Sequence, residues 1–464
     1  MVGLAVSQAI GLAALPLLAR IYSPSEVGIL AVFLAITTLL GMASTLRYEV
    51  AVVLPRSDRL ASTVLALALA SAIGFSLLVL LAGTLIYAQA PIGFINTTPL
   101  MIPLVAIGVA SAGAASCLNF WHTRVRAFRN QAIARISAQL INVVTALALG
   151  WSFGANGLYL ILGALVGQAA LIAILLIHIW RPISATIRPS WRVRPLLAAA
   201  SRYRHFPLFD VPTAFVNALA PQLPVFLLGA NYSTSSVGAY SYSYRVLTAP
   251  TNLISKSVSA AFFTRSPALL RTGHLGQFTR RILTLLVSTA SLPLGVVALY
   301  GEELFSFILG TKWADSGVYA QALTPWLFMT FVGGGLFGLF STCGKLHVSF
   351  SLSLVATLSQ LAALASGAAW GLSPIHTILM FSAAGSISWA IILVYLTRLG
   401  ETSLKFLARL LAEWSLPVVL TTAFLFLLEL LLGVPDTTVL CLAIVGTITY
   451  LALWLRLARP ALVP

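Results

Sequence analysis

Fourteen apolar runs follow one another along the chain, separated by short polar stretches. They cover 2–21, 27–54, 60–87, 100–122, 131–151, 157–180, 207–229, 237–263, 282–300, 322–343, 347–370, 374–396, 415–433 and 437–456. About 20 consecutive apolar residues cross the hydrocarbon core of a bilayer as one helix. The pattern therefore predicts an all-α polytopic membrane protein of about 14 transmembrane helices. The second run is long, and its inner end is expected to run past the bilayer. The tenth carries Gly333-Gly334-Gly335 in its middle, a mark of a kink or of close packing.

The polar stretches give direction. Those at Ala88–Pro99, Ser152–Asn156, Asn231–Ser236 and Gly371–Ser373 contain no Lys or Arg. The alternate ones are basic. They hold Arg56 and Arg59; Arg124, Arg126 and Arg129; Arg181, Arg188, Arg192, Arg194, Arg202 and Arg204; Arg265, Arg271, Arg280 and Arg281; Lys345; and Arg398, Lys405 and Arg409. Arg456 and Arg459 close the chain. Basic loops stay on the cytoplasmic side, so an even number of spans with both termini inside satisfies every loop. Removing any one span would put a basic loop outside.

Composition narrows the classes. Of 464 residues, 59% are hydrophobic and only 8% charged, with 27 Lys and Arg against 11 Asp and Glu. Soluble globular chains carry about 25% charged residues, and the mean hydropathy here is +0.98. A soluble enzyme and a disordered chain are set aside. A nucleic-acid partner is set aside too, because the net charge of +16 sits in short loops between spans. Cys117, Cys343 and Cys441 lie in or beside apolar runs without metal-ligand spacing and read as small buried hydrophobes. The first run lacks a basic leader and is followed by many more spans, so no cleavable signal peptide is expected.

A short repeat organises the spans. Tyr22-Ser23-Pro24-Ser25-Glu26-Val27-Gly28 and Tyr232-Ser233-Thr234-Ser235-Ser236-Val237-Gly238 match at five of seven positions, at an offset of 210. The copies are six spans apart and so enter the membrane from the same side. That is a parallel repeat about an axis along the membrane normal, as in transporters whose two halves enclose a central site. The expected organisation is a lobe of six spans over 1–200, a second over 201–400, and an appended pair over 401–464.

Charges within spans are expensive and mark function or a specific partner. Arg20 lies near the outer end of span 1, Arg47 and Glu49 in the inner half of span 2, Asp210 at the inner start of span 7, Arg245 and Lys256 in span 8, and Glu429 in span 13. Arg245 and Lys256 are 11 residues apart, which returns them to nearly one helix face, about 16 Å apart along the axis. Asn252 shares that face. Arg245 is about 12 Å in from Val237, deep for snorkelling from the outer surface. One reading is a cationic stripe lining a wet cavity, fit for an anionic group such as phosphate. In the other, Lys256 snorkels to the inner headgroups and Arg245 pairs with a buried acid.

Arg47 and Glu49 are two residues apart, so helical spacing makes them poor partners. Asp210 sits in a proline-rich span with Pro207, Pro212, Pro221 and Pro224. Carbonyls freed by proline, with a carboxylate, suit a proton or sodium site; pairing of Asp210 with Arg202 or Arg204 is the alternative. Arg20 either anchors its span or rims the cavity. Tyr240, Tyr242 and Tyr244 read as an interfacial aromatic belt or as sugar-stacking rings, and Trp313 as an interface anchor. No Walker A loop is present, no His/Cys/Asp cluster has metal-ligand spacing, and no long outer loop carries paired carboxylates. No cofactor and no enzymatic chemistry are expected.

Several stretches, taken in order, resemble bacterial polysaccharide biosynthesis flippases of the Wzx type. They are Leu18-Ala19-Arg20-Ile21-Tyr22-Ser23-Pro24-Ser25-Glu26-Val27-Gly28, Leu46-Arg47-Tyr48-Glu49-Val50-Ala51-Val52-Val53-Leu54-Pro55, Arg202-Tyr203-Arg204-His205-Phe206-Pro207, Gly229 to Gly238, Arg245-Val246-Leu247-Thr248-Ala249-Pro250, and Leu309-Gly310-Thr311-Lys312-Trp313-Ala314-Asp315-Ser316-Gly317. The likeness covers about residues 10–345. It implies the multidrug/oligosaccharidyl-lipid/polysaccharide exporter superfamily, with two lobes and alternating access. It further implies movement of undecaprenyl-pyrophosphate-linked oligosaccharide to the outer leaflet of the bacterial cytoplasmic membrane, for an O-antigen, capsule, exopolysaccharide or teichoic-type pathway. A polysaccharide polymerase and chain-length proteins would be the working partners.

Cavity arginines on spans 1, 2 and 8 hold the pyrophosphate in related lipid flippases. Arg20, Arg47 and Arg245 lie on the matching spans, with Asn252 and Lys256 beside the last. Asp210 and Glu49 are the candidates for coupling to a proton or sodium gradient. Family members carry a basic stretch before span 1 whereas this chain begins inside it, so an earlier start is expected. A cation-coupled small-molecule exporter is the alternative, although its cavity would favour acids where this chain favours bases. A membrane glycosyltransferase would need catalytic outer loops, and a scaffold would leave the intramembrane arginines without a purpose.

Overall fold

The structure is a computed structural model, described for residues 2–89, 99–187 and 193–415, with 446 and 449. Spans 13 and 14 expected from the sequence, and Glu429 with them, lie outside the described residues apart from those isolated positions. The described residues are helical throughout their regular structure. Ten of their helices are long and apolar enough to cross a membrane, and the chain is a multi-pass membrane protein. Helix answers the bilayer's demand that each backbone N–H and C=O find a partner within its own segment.

Contacts divide the chain into two compact units, Met1–Gly238 and Ala239–Pro464. In unit 1, α1 (Val2–Ala13) and α2 (Leu15–Ile21) form the first span, and α3 (Pro24–Ser44) the second. A short α4 (Tyr48–Ala51) leads to α5 (Asp58–Gln89), α6 (Met101–Arg124), α7 (Phe128–Phe153), α8 (Gly157–Ile187) and α9 (Val193–Arg202). A π-helical turn, Phe206–Asp210, opens α10 (Val211–Asn231). Helix α11 (Thr234–Arg271) begins in unit 1 and continues into unit 2. Unit 2 then adds α12 (Leu275–Leu309), α13 (Ala314–Leu336), α14 (Gly338–Thr342), α15 (Leu346–Ala369) and α16 (Pro374–Leu399). The unit boundary falls after α9 and α10 because these pack on α5 and α3.

The two copies of the sequence repeat build the same local device. The preceding helix ends with Tyr22 N–H donating to Leu18 O at 2.8 Å, and with Tyr232 N–H donating to Leu228 O at 2.8 Å. Ser23 and Ser233 then stand before the first turns of α3 and α11. Pro24 and Glu26 complete a capping box on α3, where Ser23 N–H donates to the Glu26 carboxylate at 2.6 Å. At the second copy, Ser236 N–H donates to Ser233 Oγ at 3.2 Å.

The copies also meet each other. A methyl on Gly28 would overlap the carbonyl oxygen of Thr234 and crowd Gly238 N; one on Gly238 would overlap the carbonyl oxygen of Pro24 and crowd Gly28 N. The contact is reciprocal at the same offset of 210 that relates the sequences. Only glycine lets two helix backbones approach this closely.

One end of unit 1 is held by a core of Val52, Val64, Leu65, Cys117, Leu118, Trp121, Leu175 and Tyr203 around Tyr48 and Ala51. This core seats α4. In unit 2 the Gly333-Gly334-Gly335 run proves to be close packing. A methyl on Gly333 would press on the Trp389 ring, and one on Gly335 on Leu286. The helix break follows only at Phe337, between α13 and α14.

Backbone atoms in the Gly28/Gly238 contact cannot rotate aside as a side chain can. Gly28→Ala and Gly238→Ala are each expected to destabilise the protein by about 1–3 kcal/mol through overpacking. Gly74→Ala, at an exposed site on α5 with open space around it, is expected to be neutral or slightly stabilising. Thermal unfolding of the three purified variants in one detergent checks this.

Candidate functional site

Helix α3 ends at Ser44, and the chain then takes two left-handed residues, Leu46 at φ 51° and Arg47 at φ 60°. Left-handed backbone costs an L-residue roughly 1–2 kcal/mol, so surrounding contacts must hold this turn. Tyr48 restarts the helix as α4 and is buried in the core around Trp121 and Tyr203. The turn corrects the expectation that Arg47 and Glu49 face apart. Their helical spacing does not apply across a break, and Arg47 Nη1 lies 3.4 Å from Glu49 Oε1. Glu49 is 1% exposed. A buried carboxyl needs partners, and Thr45 Oγ1 supplies one by donating to Oε2.

Arg47 also reaches across 163 residues of sequence. Its Nε donates to Asp210 Oδ2 at 2.7 Å. Asp210 closes the π-helical turn between Pro207 and Pro212. Such wide turns cluster at functional sites, and here prolines interrupt the regular hydrogen-bond ladder. Asp210 thus takes Arg47 as its ion-pair partner, in place of the Arg202 or Arg204 expected from nearness in sequence. The Asp210 side chain is 40% exposed and that of Arg47 24% exposed. The cluster is therefore dry at Glu49 and open at Asp210, with a single guanidinium serving two carboxyl groups.

A residue that the sequence presents only as loop charge fixes this corner. Arg124, at the end of α6, donates through Nη1 to Pro55 O at 2.6 Å and Val52 O at 3.3 Å, and through Nη2 to Asp58 Oδ1 at 2.8 Å. It satisfies carbonyls that no helix serves between α4 and α5. One arginine thereby ties α6 to the segment that follows α4, next in the chain to Arg47 and Glu49.

The other candidate residues are placed as follows. Arg20 is exposed at the end of α2, about 30 Å from Arg47 along the 21 residues of α3, so the two do not share one cluster. Arg245 is exposed on α11 in unit 2. Asn252 and Lys256 lie on the same unbroken helix, and their side chains are outside the described residues.

Tyr240 and Tyr242 are buried. Tyr242 stacks on Trp313 with ring centroids 4.2 Å apart, Tyr244 on Tyr240 at 5.9 Å and on Trp326 at 6.1 Å. These rings form an interior stack, not an interfacial belt, and other side chains occupy the faces a sugar would need. Trp313 is fully buried, which corrects its reading as an interface anchor: a short 3-10 turn, Thr311–Trp313, folds it inward.

Unit 1 also contains an apolar cavity of about 460 Å³ between α3, α5 and α6, lined as well by Gly229, Tyr232 and Thr234. Its walls include Phe33, Ile36, Val79 and Val105. It holds no charged group.

Comparison with known proteins places the chain in a family and a fold. A family model described as polysaccharide biosynthesis protein matches residues 17–317. No curated protein sequence matches the chain. Among solved structures, the lipid II flippase MurJ in an inward closed conformation is similar at a TM-score of 0.71 and 15% identity, covering 98% of each chain. An inward-facing multidrug resistance MATE family transporter of the MOP superfamily is similar at 0.57 and 13% identity, over 86% of this chain and 96% of its own. A mutant of the Vibrio cholerae MATE transporter VcmN follows at 0.52 and 14%, over 87% and 95%. At these identities the likeness is one of fold.

Removing the guanidinium strands a buried carboxyl. Arg47→Ala is expected to lower stability by about 1–3 kcal/mol, and Glu49→Gln in the same chain to recover part of that loss. Thermal unfolding of the single and double variants checks the coupling.

Proposed function

Because the chain belongs to the polysaccharide biosynthesis protein family, we propose that it is a flippase. Its cargo is an undecaprenyl-pyrophosphate-linked oligosaccharide, carried from the inner to the outer leaflet of the bacterial cytoplasmic membrane. The observation that carries the reading is the family match over 17–317, which includes Arg20, Arg47, Arg245, Asn252 and Lys256. The fold shared with the lipid II flippase supports it.

The physics is a division of labour. A polyprenyl tail is at home in hydrocarbon, whereas a pyrophosphate and its sugars are not. The protein must supply cations and water to the headgroup while the tail stays in lipid. Arg20, Arg47 and Arg245 are the proposed pyrophosphate contacts, Arg20 and Arg47 at successive stages of crossing, with Asn252 and Lys256 along the path. Two lobes, 1–200 and 201–400, alternate in access, with 401–464 appended and both termini cytoplasmic. Asp210 and Glu49 are the proposed coupling carboxyls. A polysaccharide polymerase and chain-length proteins receive the product.

A second reading, export of small cations, is favoured by the likeness to MATE transporters and by the two carboxyls around Arg47. Headgroup accessibility in proteoliposomes separates the two. A glycosidase added outside reports which lipid-linked sugars have crossed, while a fluorescent cation reports small-molecule export. Protein-dependent crossing of the glycolipid supports the flippase; dye export without glycolipid crossing replaces it.

Arg245→Ala is expected to abolish crossing without loss of membrane insertion. Arg245→Lys is expected to retain part of it, since the charge stays while the planar fork is lost. Wild-type rates from a well-inserted Arg245→Ala protein would remove Arg245 from the site.

A further inference from the structure

We infer that Asp210 is a built-in competitor for the anionic headgroup at Arg47, so that cargo binds at the inner end of unit 1 by exchanging partners on one guanidinium. The inference rests on the flippase reading and adds to it a residue that sets affinity. Three observations carry it.

The first is position. Arg47 sits at the inner end of α3, one short helix before the basic strap of Arg56 and Arg59. By the loop charges that strap faces the cytoplasm, the side from which a lipid-linked glycan is loaded.

The second is the form of the pair. Asp210 engages Arg47 through one oxygen on Nε, and Glu49 takes Nη1 at 3.4 Å. Among the described residues, Nη2 has no partner. The guanidinium is a fork that a phosphate fills with two parallel hydrogen bonds. Asp210 holds only one prong, so a diphosphate offers Arg47 more than Asp210 does.

The third is the difference between the carboxyls. Glu49 is buried and tied to Thr45, and it stays when Asp210 leaves. Asp210 is 40% exposed and stands on a π-helical turn flanked by prolines. The protein does not enclose its carboxylate, so breaking the contact strands no buried charge. The paired state also keeps a cation from lying bare at the membrane when no cargo is present.

The test measures binding of undecaprenyl diphosphate to the purified full-length protein in nanodiscs, with undecaprenol as the uncharged control. Removing the competitor by Asp210→Asn is expected to tighten diphosphate binding about two- to fivefold, in the range of a partly exposed ion pair. Undecaprenol binding is expected to stay unchanged. Asp210→Glu, which keeps the charge, is expected to stay near wild type. Arg47→Ala is expected to weaken binding, and Asp210→Asn added to it to tighten nothing. Should Asp210→Asn fail to fold, Asp210→Ser removes the same charge and takes its place.

Unchanged or weaker binding by a folded charge-removing variant overturns the inference while leaving the flippase reading intact, and so does equal tightening in the Arg47→Ala background. Absence of diphosphate binding by the wild type overturns the flippase reading itself, and the exchange with it.

Discussion

Hydrocarbon offers no partner to a backbone N–H or C=O, and an unpaired group there costs several kcal/mol. Every described helix can be read as an answer to that constraint. At three breaks the groups that the helices leave over are met locally. At Tyr22–Ser23 a capping box serves the first turn of α3. After α4, the Arg124 guanidinium serves the carbonyls of Val52 and Pro55. Ahead of α10, where two prolines remove donors, a π-helical turn widens the ladder.

The breaks are also where the chemistry collects. A regular helix within the membrane presents few ways to bring charges together, since neighbours in sequence diverge by about 100° each. The left-handed pair Leu46 and Arg47 overrides that geometry, and the turn before α10 brings Asp210 alongside. Two interruptions, far apart in sequence, thereby make one ionic cluster in a chain with 8% charged residues. Glu49 supplies its buried side and Asp210 its exposed side, which gives a single arginine two partners of different burial.

The repeat shows the same economy in apolar terms. Gly28 and Gly238 occupy equivalent positions and each presses on the other's helix. Sequence similarity of seven residues thus corresponds to a reciprocal contact. The pairing follows from closeness that only a missing side chain permits, so the glycines matter to packing more than the matching serines and valines around them.

The succession of spans, their helical nature and the alternation of basic loops are legible in the amino-acid sequence, because run length and loop charge are local quantities set by transfer to the bilayer. The family is legible from ordered local motifs for the same reason. Placement of the charged and aromatic groups is not. Arg47 and Glu49 point apart only on the premise of a continuous helix, and the premise fails at a turn that no glycine or proline announces. Residue type assigns Trp313 and the tyrosines around Tyr242 to the membrane surface, whereas stacking on one another draws them inside. Nearness along the chain offers Asp210 the arginines just before it, yet its partner lies 163 residues away. Periodicity and composition decide what enters the bilayer; which charge meets which is decided by packing between distant segments, and that is a property of the folded chain alone.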